Sequence, residues 1–355
     1  MNPDKSIHIA IQVISFEMNH AYDRRRALPF LKDLCNEQNL FFEPFSDIKT
    51  LDLSKFDFVI VSIRSDLPFV FKLLNKNNPD RSTKFIFDYC DFIHVVSGFK
   101  FFIKSIFAKR RKNYSSLFFK KDFLKLISLF DSIVVGSKIQ NELLEKYNNN
   151  IVIIQDITEE VPLLELKNNS ENNGILWEGF ASSNWPIFKK IFKYTNNIRQ
   201  GSKLYIVTDQ KYYFLAGRYL GFNIHTVFNF LNFFYPNNIY ETQKWNIDNL
   251  VNYANKCKIA LIPITNKKIA KLKPENKMVI MIRLGLLPIV SNIPAYATFS
   301  EKYDLNICFS NIKEFNLILS DINLQYEKLQ KVRPLILQDY SYLNIKTKWI
   351  KLLKI

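Results

Sequence analysis

From Lys273 to Tyr296 the chain reads KPENKMVIMIRLGLLPIVSNIPAY, and this stretch restricts the possible folds more than any other. Lys273, Asn276 and Lys277 stand ahead of an apolar run, residues 278–284, that has helical spacing. Gly285 stops that helix, because a C-terminal end often needs a left-handed backbone that only Gly adopts cheaply. Residues 286–290, LLPIV, follow as a short buried strand, with a polar turn at 291–294 beyond its carboxyl end. A helix, a glycine stop and a buried strand make a unit of an α/β protein. The basic, amide-bearing helix start also suits a phosphate group, since helix N-termini carry partial positive charge and unsatisfied N–H groups.

The same alternation runs through the first half. Residues 8–15, HIAIQVIS, have the β-branched, continuously apolar form of a buried parallel strand, and a helix is expected over 22–36. A dinucleotide-binding protein would place G-x-G-x-x-G between them, and this loop has no Gly, which excludes that class. Residues 56–62 form the next strand. Residues 84–87, KFIF, form another, which runs into Asp88 and then Asp91. Carboxylates at the carboxyl end of a parallel strand sit where open α/β sheets bind ligands. Asp88 or Asp91 could therefore orient or deprotonate a hydroxyl of a bound ligand, against the plainer role of capping the next helix, which suits Asp91 better. Strands over 129–137 and 151–154 bracket a helix over 138–147. The polar run 159–174, with KNNSENN inside it, is the best domain boundary. Beyond it, strands are expected at 175–178, 203–207 and 258–263, with helices opening at Trp185-Pro186 and spanning 247–254.

A chain of 355 residues favours two domains, and 48% hydrophobic content is ample for two cores. The formal charge of +16 attracts anionic partners in general, although a Lys/Asn/Ile/Phe-rich codon bias explains it equally well. No zinc-finger spacing, helix-turn-helix or aromatic–basic RNA signature accompanies it, so nucleic acid is not expected as a partner. Cys35, Cys90, Cys257 and Cys308 are scattered without a CxxC pair, so neither a metal site nor a disulfide framework is suggested. No apolar stretch approaches the roughly 20 residues that span a bilayer, and the start MNPDKS lacks a signal-peptide profile. A cytoplasmic setting is expected. The run FKFFIKSIFAKRRK, from Phe99 to Lys112, suits an acidic membrane surface, or equally a helix packing its Phe side inward.

The order N-K, apolar helix, G-x-x-P-I-V and polar turn over residues 276–294 resembles the donor-binding segment of GT-B nucleotide-sugar glycosyltransferases. The matching residues are Lys273, Asn276, Lys277, Gly285, Pro288, Ile289, Val290, Ser291 and Pro294. The succession of elements over 129–157 and 247–263 is similar to that family too, though its usual Pro-Asn-Gly turn is Gln155-Asp156-Ile157 here. The resemblance covers most of the chain in element order but is specific in residues only over 273–296. It implies two doubly wound, Rossmann-like α/β domains facing across a cleft. Residues 1–165 would form the acceptor side and 166–330 the nucleotide-sugar side, with a C-terminal helix, 331–355, returning to the first.

It further implies transfer of a sugar from a nucleoside-diphosphate sugar to a hydroxyl acceptor, without a cofactor or an obligatory metal. Gly179, Ser182, Ser183, Lys273, Asn276, Lys277 and Ser291 would bind the donor. Asp88 or His20 would activate the acceptor, with Asn19, Asp23 and Arg24 nearby. Such families usually serve surface-polysaccharide or glycolipid assembly, so a lipid-linked acceptor and peripheral contact with the inner membrane through Phe99 to Lys112 are implied. The paired glutamates of retaining enzymes are not evident: Glu275 matches loosely, and Ile282 holds the partner position. A GT-A fold is the second choice, with Asp88-x-x-Asp91 the nearest imitation of its metal-binding motif. A non-catalytic GT-B-like partner protein and a basic membrane-surface or polyanion-binding protein are the competing functions.

Overall fold

A computed structural model describes residues 6–14, 21–37, 40–63, 65–75, 82–89, 120–167, 173–180, 185–196, 198, 202–215, 219–237, 239–265 and 267–353. The chain divides into two compact units, one of residues 1–160 with 340–355 and the other of 161–339. The sequence alone puts these divisions at 165/166 and 330/331.

The first unit is a six-stranded sheet of β1 (Ile7–Gln12), β2 (Leu40–Phe45), β3 (Phe58–Ser62), β4 (Lys84–Asp88), β5 (Ser132–Val135) and β6 (Ile151–Ile153). Every pairing is parallel, in the order β2-β1-β3-β4-β5-β6. The central strands are apolar throughout because helices cover both faces: all five residues of β3 are buried. Ile9, Ile11, Phe58, Ile60, Ile86 and Val134 meet Ala27, Phe30 and Leu31 in one core, joined by Ile345, Trp349 and Leu353 of the C-terminal helix Tyr342–Leu353.

The helix expected over 22–36 is two helices, Ala21–Arg25 and Ala27–Glu37, interrupted at Arg26. Pro29 explains the break, since it lacks the N–H that would bond the carbonyl of Arg25 and its ring crowds that carbonyl. The freed Arg25 carbonyl accepts the N–H of Ile157 at 2.9 Å instead, which ties the segment after β6 to the helix start.

The second unit has β7 (Gly174–Glu178), β8 (Lys203–Thr208), β11 (Ile239–Lys244), β12 (Cys257–Ile262), β13 (Leu287–Ser291) and β14 (Cys308–Phe309) in one parallel sheet, ordered β11-β8-β7-β12-β13-β14. Counted within the unit this is 3-2-1-4-5-6, the order of a doubly wound mononucleotide-binding sheet. An antiparallel hairpin, β9 (Lys211–Leu215) with β10 (Tyr219–Asn223), and a helix, Ile224–Phe234, are inserted between β8 and β11. The helix expected after Lys277 spans Asn276–Arg283 and leads into β13. Gly285 has φ +77°, the left-handed backbone its position requires, and a Cβ there would lie 2.0 Å from the Glu165 carbonyl oxygen. Asp91, Asn19, His20, Ser182, Ser183 and the run from Phe99 to Lys112 lie outside the described residues.

Candidate functional site

In a sheet ordered 3-2-1-4-5-6, connections leave strands 1 and 4 in opposite directions, and ligands bind at the carboxyl ends of those two strands. In the second unit these are β7 and β12. The residue after β7 is Gly179, with φ +153°, a backbone that side-chain-bearing residues rarely adopt. Its N–H donates to the Val207 carbonyl at 3.1 Å, and its own carbonyl accepts the Thr208 hydroxyl at 2.6 Å. The turn is thus anchored to the end of β8.

The helix Asn276–Arg283 begins beside this turn. Glu275 occupies its cap position, and its side chain makes no cap hydrogen bond to the first amides. Lys277, in the first turn, donates to the carbonyl oxygen of Glu178, lies 3.5 Å from that residue's carboxylate, and sits 5.6 Å from the Trp177 ring centroid. A Cβ on Gly179 would come within 3.3 Å of Lys277 Nζ and 3.0 Å of the Trp177 ring. Gly at 179 therefore makes room for the lysine. Asn276 is buried, and its Oδ1 has no hydrogen-bond partner among the described residues. An unpaired buried acceptor costs about 1–3 kcal/mol, which fits a group whose partner is a ligand hydroxyl.

Gly179 and the pair Asn276 and Lys277, from two separate stretches of the sequence, are brought to one strand end. Ser291 does something else. Its buried hydroxyl accepts the Ile264 N–H at 2.9 Å, which joins the ends of β12 and β13. Lys273 closes the short 3-10 turn Lys268–Leu272 ahead of the helix. Lys190, which the sequence did not single out, donates to the Ile264 carbonyl at 2.7 Å. Burial pushes its ammonium pKa below the ordinary lysine value. Ile264 is thereby held on both of its peptide groups. Tyr296 is fully buried, and its phenol is pushed far above its usual range by burial first, then by the negative charges of Glu275 and Glu178. It stays neutral at any physiological pH.

In the first unit Asp88 ends β4 and is fully buried. Arg26 grips it: Nε lies 3.2 Å from both carboxylate oxygens and Nη2 lies 2.5 Å from Oδ1. The remaining Nη1 donates to the Ile154 carbonyl at 2.7 Å and to Asp156 at 2.8 Å. Both oxygens of this carboxylate are therefore engaged by the guanidinium. Asp23 is also buried and accepts the Ile14 N–H at 2.9 Å, while Arg24 and Arg25 both pair with Glu160. The break at Arg26 is the signal that sequence reading lacked, since it turns that side chain into the sheet end. Among the described residues no group of three or more His, Cys, Asp or Glu side chains is placed to hold a metal.

No protein-family model matches the sequence, and no curated protein matches it either. Solved structures do match. Anabaena HepE, in complex with UDP and glucose, aligns with 98% of this chain and 99% of its own at TM-score 0.63 and 10% identity. An alpha-glucosyltransferase, AGT, in complex with UDP, aligns with 99% of this chain and all of its own at TM-score 0.58 and 12% identity. The pneumococcal O-GlcNAc transferase GtfA, with UDP and GlcNAc, covers 92% of this chain, which spans 58% of that longer one, at TM-score 0.54 and 12% identity.

The fold is GT-B.

In GT-B terms the second unit is the carboxyl-terminal Rossmann-like half, and the turn at Gly179 with the start of the Asn276–Arg283 helix is its strand-end site. The identities are low enough that the likeness is one of backbone. The chemistry has to come from the residues just described.

Proposed function

We propose that the protein is a glycosyltransferase that moves a sugar from a nucleoside-diphosphate sugar to a hydroxyl acceptor. One observation carries this reading: Lys277 stands over a glycine turn, in the first turn of a helix, at the carboxyl end of β7 beside its neighbour β12. A departing diphosphate gains negative charge in the transition state. A cation and helix amides already in place lower that barrier without reorganisation. Positive charge from these groups is the reason to propose that no divalent ion is obligatory. Lys277 would exchange the Glu178 carbonyl and carboxylate for phosphate oxygens, and Asn276 Oδ1 would accept a hydroxyl of the donor. UDP is the first nucleotide to test, since HepE, AGT and GtfA were each solved with it.

For acceptor activation we assign His20, because Arg26 occupies the carboxylate of Asp88. Surface-polysaccharide or glycolipid assembly remains our proposed setting, with a lipid-linked acceptor and peripheral contact through Phe99 to Lys112.

A thermal-shift screen against UDP, GDP, CMP and ADP with their sugars, on the native protein and Lys277→Ala, tests the donor site. Stabilisation by one nucleoside diphosphate that disappears in the variant supports it. No shift from any nucleotide, or one indifferent to Lys277, replaces it with a non-catalytic GT-B protein. Sugar transfer that survives His20→Ala would remove the histidine from the mechanism.

A further inference from the structure

The insertion between β8 and β11 has no part in the site just described, yet it carries an unusual surface. The helix Ile224–Phe234 buries Ile224, Val227, Phe228 and Leu231 in the core of the second unit, where Phe228 packs on Phe188 and Phe192. Its other side leaves Phe230, Phe233 and Phe234 exposed by 56%, 82% and 58%. These rings touch one another, with centroids 5.3 Å apart for Phe230–Phe234 and 5.4 Å for Phe233–Phe234. Trp185 extends the cluster, 6.0 Å from Phe230. A single exposed Phe on a helix is ordinary, but a contiguous aromatic patch lowers solubility and marks a contact surface.

Charge decides what it contacts. Between Glu178 and Glu241 the chain has one acidic residue, Asp209, against seven lysines and arginines. Two of these, Lys189 and Lys193, follow Trp185 at intervals of four on the helix Trp185–Thr195 and are exposed. Residues so spaced share a stripe, so the lysines continue the line that the Trp begins. Two copies of this face would oppose like charges, which disfavours self-association. Aromatic rings at the headgroup level with lysines reaching anionic phosphates are the means by which a protein rests on a bilayer without crossing it. No described helix is long and apolar enough to cross one.

We infer that the outer face of Trp185, Phe230, Phe233 and Phe234, with Lys189 and Lys193, docks on an anionic phospholipid surface. This face belongs to the second unit and is distinct from the run between Phe99 and Lys112. It does not depend on the donor-site reading, and its test uses no nucleotide.

The full-length protein is sedimented with vesicles of phosphatidylglycerol and, separately, of phosphatidylcholine. The expected result is binding to the anionic vesicles alone. Replacing Phe230, Phe233 and Phe234 together by Ser should weaken it by about tenfold or more, since each ring leaves an apolar environment. Lys189→Glu with Lys193→Glu should weaken it as well and lessen its dependence on salt. Native melting temperatures in both variants show that the fold is intact. The inference is overturned if the wild type ignores anionic vesicles or if it binds both lipids alike. It also fails if the two variants bind as the wild type does, with only charge reversal between Phe99 and Lys112 abolishing binding. A wild-type dimer that the Phe variant converts to monomer would make the face a contact between copies instead.

Discussion

Two strands, one in each unit, end in a carboxylate held by a cation, and the two pairs differ in nearly every other respect. At the end of β4, Asp88 and Arg26 are sealed, with side-chain exposures of 0% and 2%. The guanidinium fork meets both carboxylate oxygens and still reaches Ile154 and Asp156. At the end of β7, Glu178 and Lys277 remain partly open, at 15% and 28%. There the ammonium is a point charge on a flexible stem that shares itself between a carbonyl, a carboxylate 3.5 Å away and an aromatic face. Arginine suits a buried pair, because its planar fork matches a carboxylate and it is weakly hydrated. A partly open lysine in the first turn of a helix keeps the freedom to take another anion. The same pairing of signs at the same place in two sheets is thus closed in one unit and partly open in the other.

The comparison breaks most visibly at Arg26. Arg26→Met leaves Asp88 buried and unpaired, which should cost about 3–5 kcal/mol. A fall in the denaturant midpoint of the first unit reads that loss. Adding Asp88→Leu should recover much of it, as apolar replacements of buried pairs often do. If Asp88→Asn alone abolishes sugar transfer while the midpoint holds, the closed pair is catalytic after all.

Lys277→Ala should do the opposite. Stability should change by no more than about 0.5 kcal/mol, as at other partly exposed positions. Affinity for the nucleoside diphosphate should fall roughly ten- to hundredfold, the worth of a charge-assisted hydrogen bond. Calorimetric titration with UDP and a melting curve measure the two effects side by side.

Gly179→Ala asks whether the open pair needs its glycine. A Cβ 3.0 Å from the Trp177 ring, on a backbone at φ +153°, should cost about 1–2 kcal/mol of stability. It should also displace Lys277 and weaken nucleotide binding. Unchanged binding would mean that the lysine holds its place without the turn.

The smallest effect concerns Asp33, a half-buried counterpart to both pairs. Its carboxylate accepts hydrogen bonds from Lys346, at 2.6 Å, and from Tyr342, at 3.1 Å, both on the C-terminal helix. These bonds hold its pKa below the usual carboxylate value. A lowered folded pKa contributes stability at neutral pH that is lost as acid protonates the group, here below about pH 4. Asp33→Asn should remove that part of the acid dependence of the denaturant midpoint and leave the rest.

Much of the architecture was legible along the chain. The apolar β-branched runs at 56–62, 84–87 and 258–263 are β3, β4 and β12 within two residues at either end, and the helix at 247–254 is Ile247–Ala254. The insertion between β8 and β11 went unread: Ile224, Val227, Phe228 and Leu231 have helical spacing, but Phe230, Phe233 and Phe234 make the opposite side apolar too and blur the pattern. Pro29 was visible, but its consequence was not. Breaking a helix there matters only because Ile157 takes up the freed carbonyl and Arg26 reaches the sheet.

The sequence by itself determined where strands and helices fall and which strand-end residues carry charge, since those follow from local periodicity, β-branching, proline and glycine. Only the tertiary structure decided what the charges do. Arg26 meets Asp88 across 62 residues, and Lys277 meets Glu178 across 99. Whether a carboxylate is a base, a joint or a rest for a lysine depends on the cation within about 4 Å and on the water around them, because Coulomb energy and desolvation are set by distance and burial.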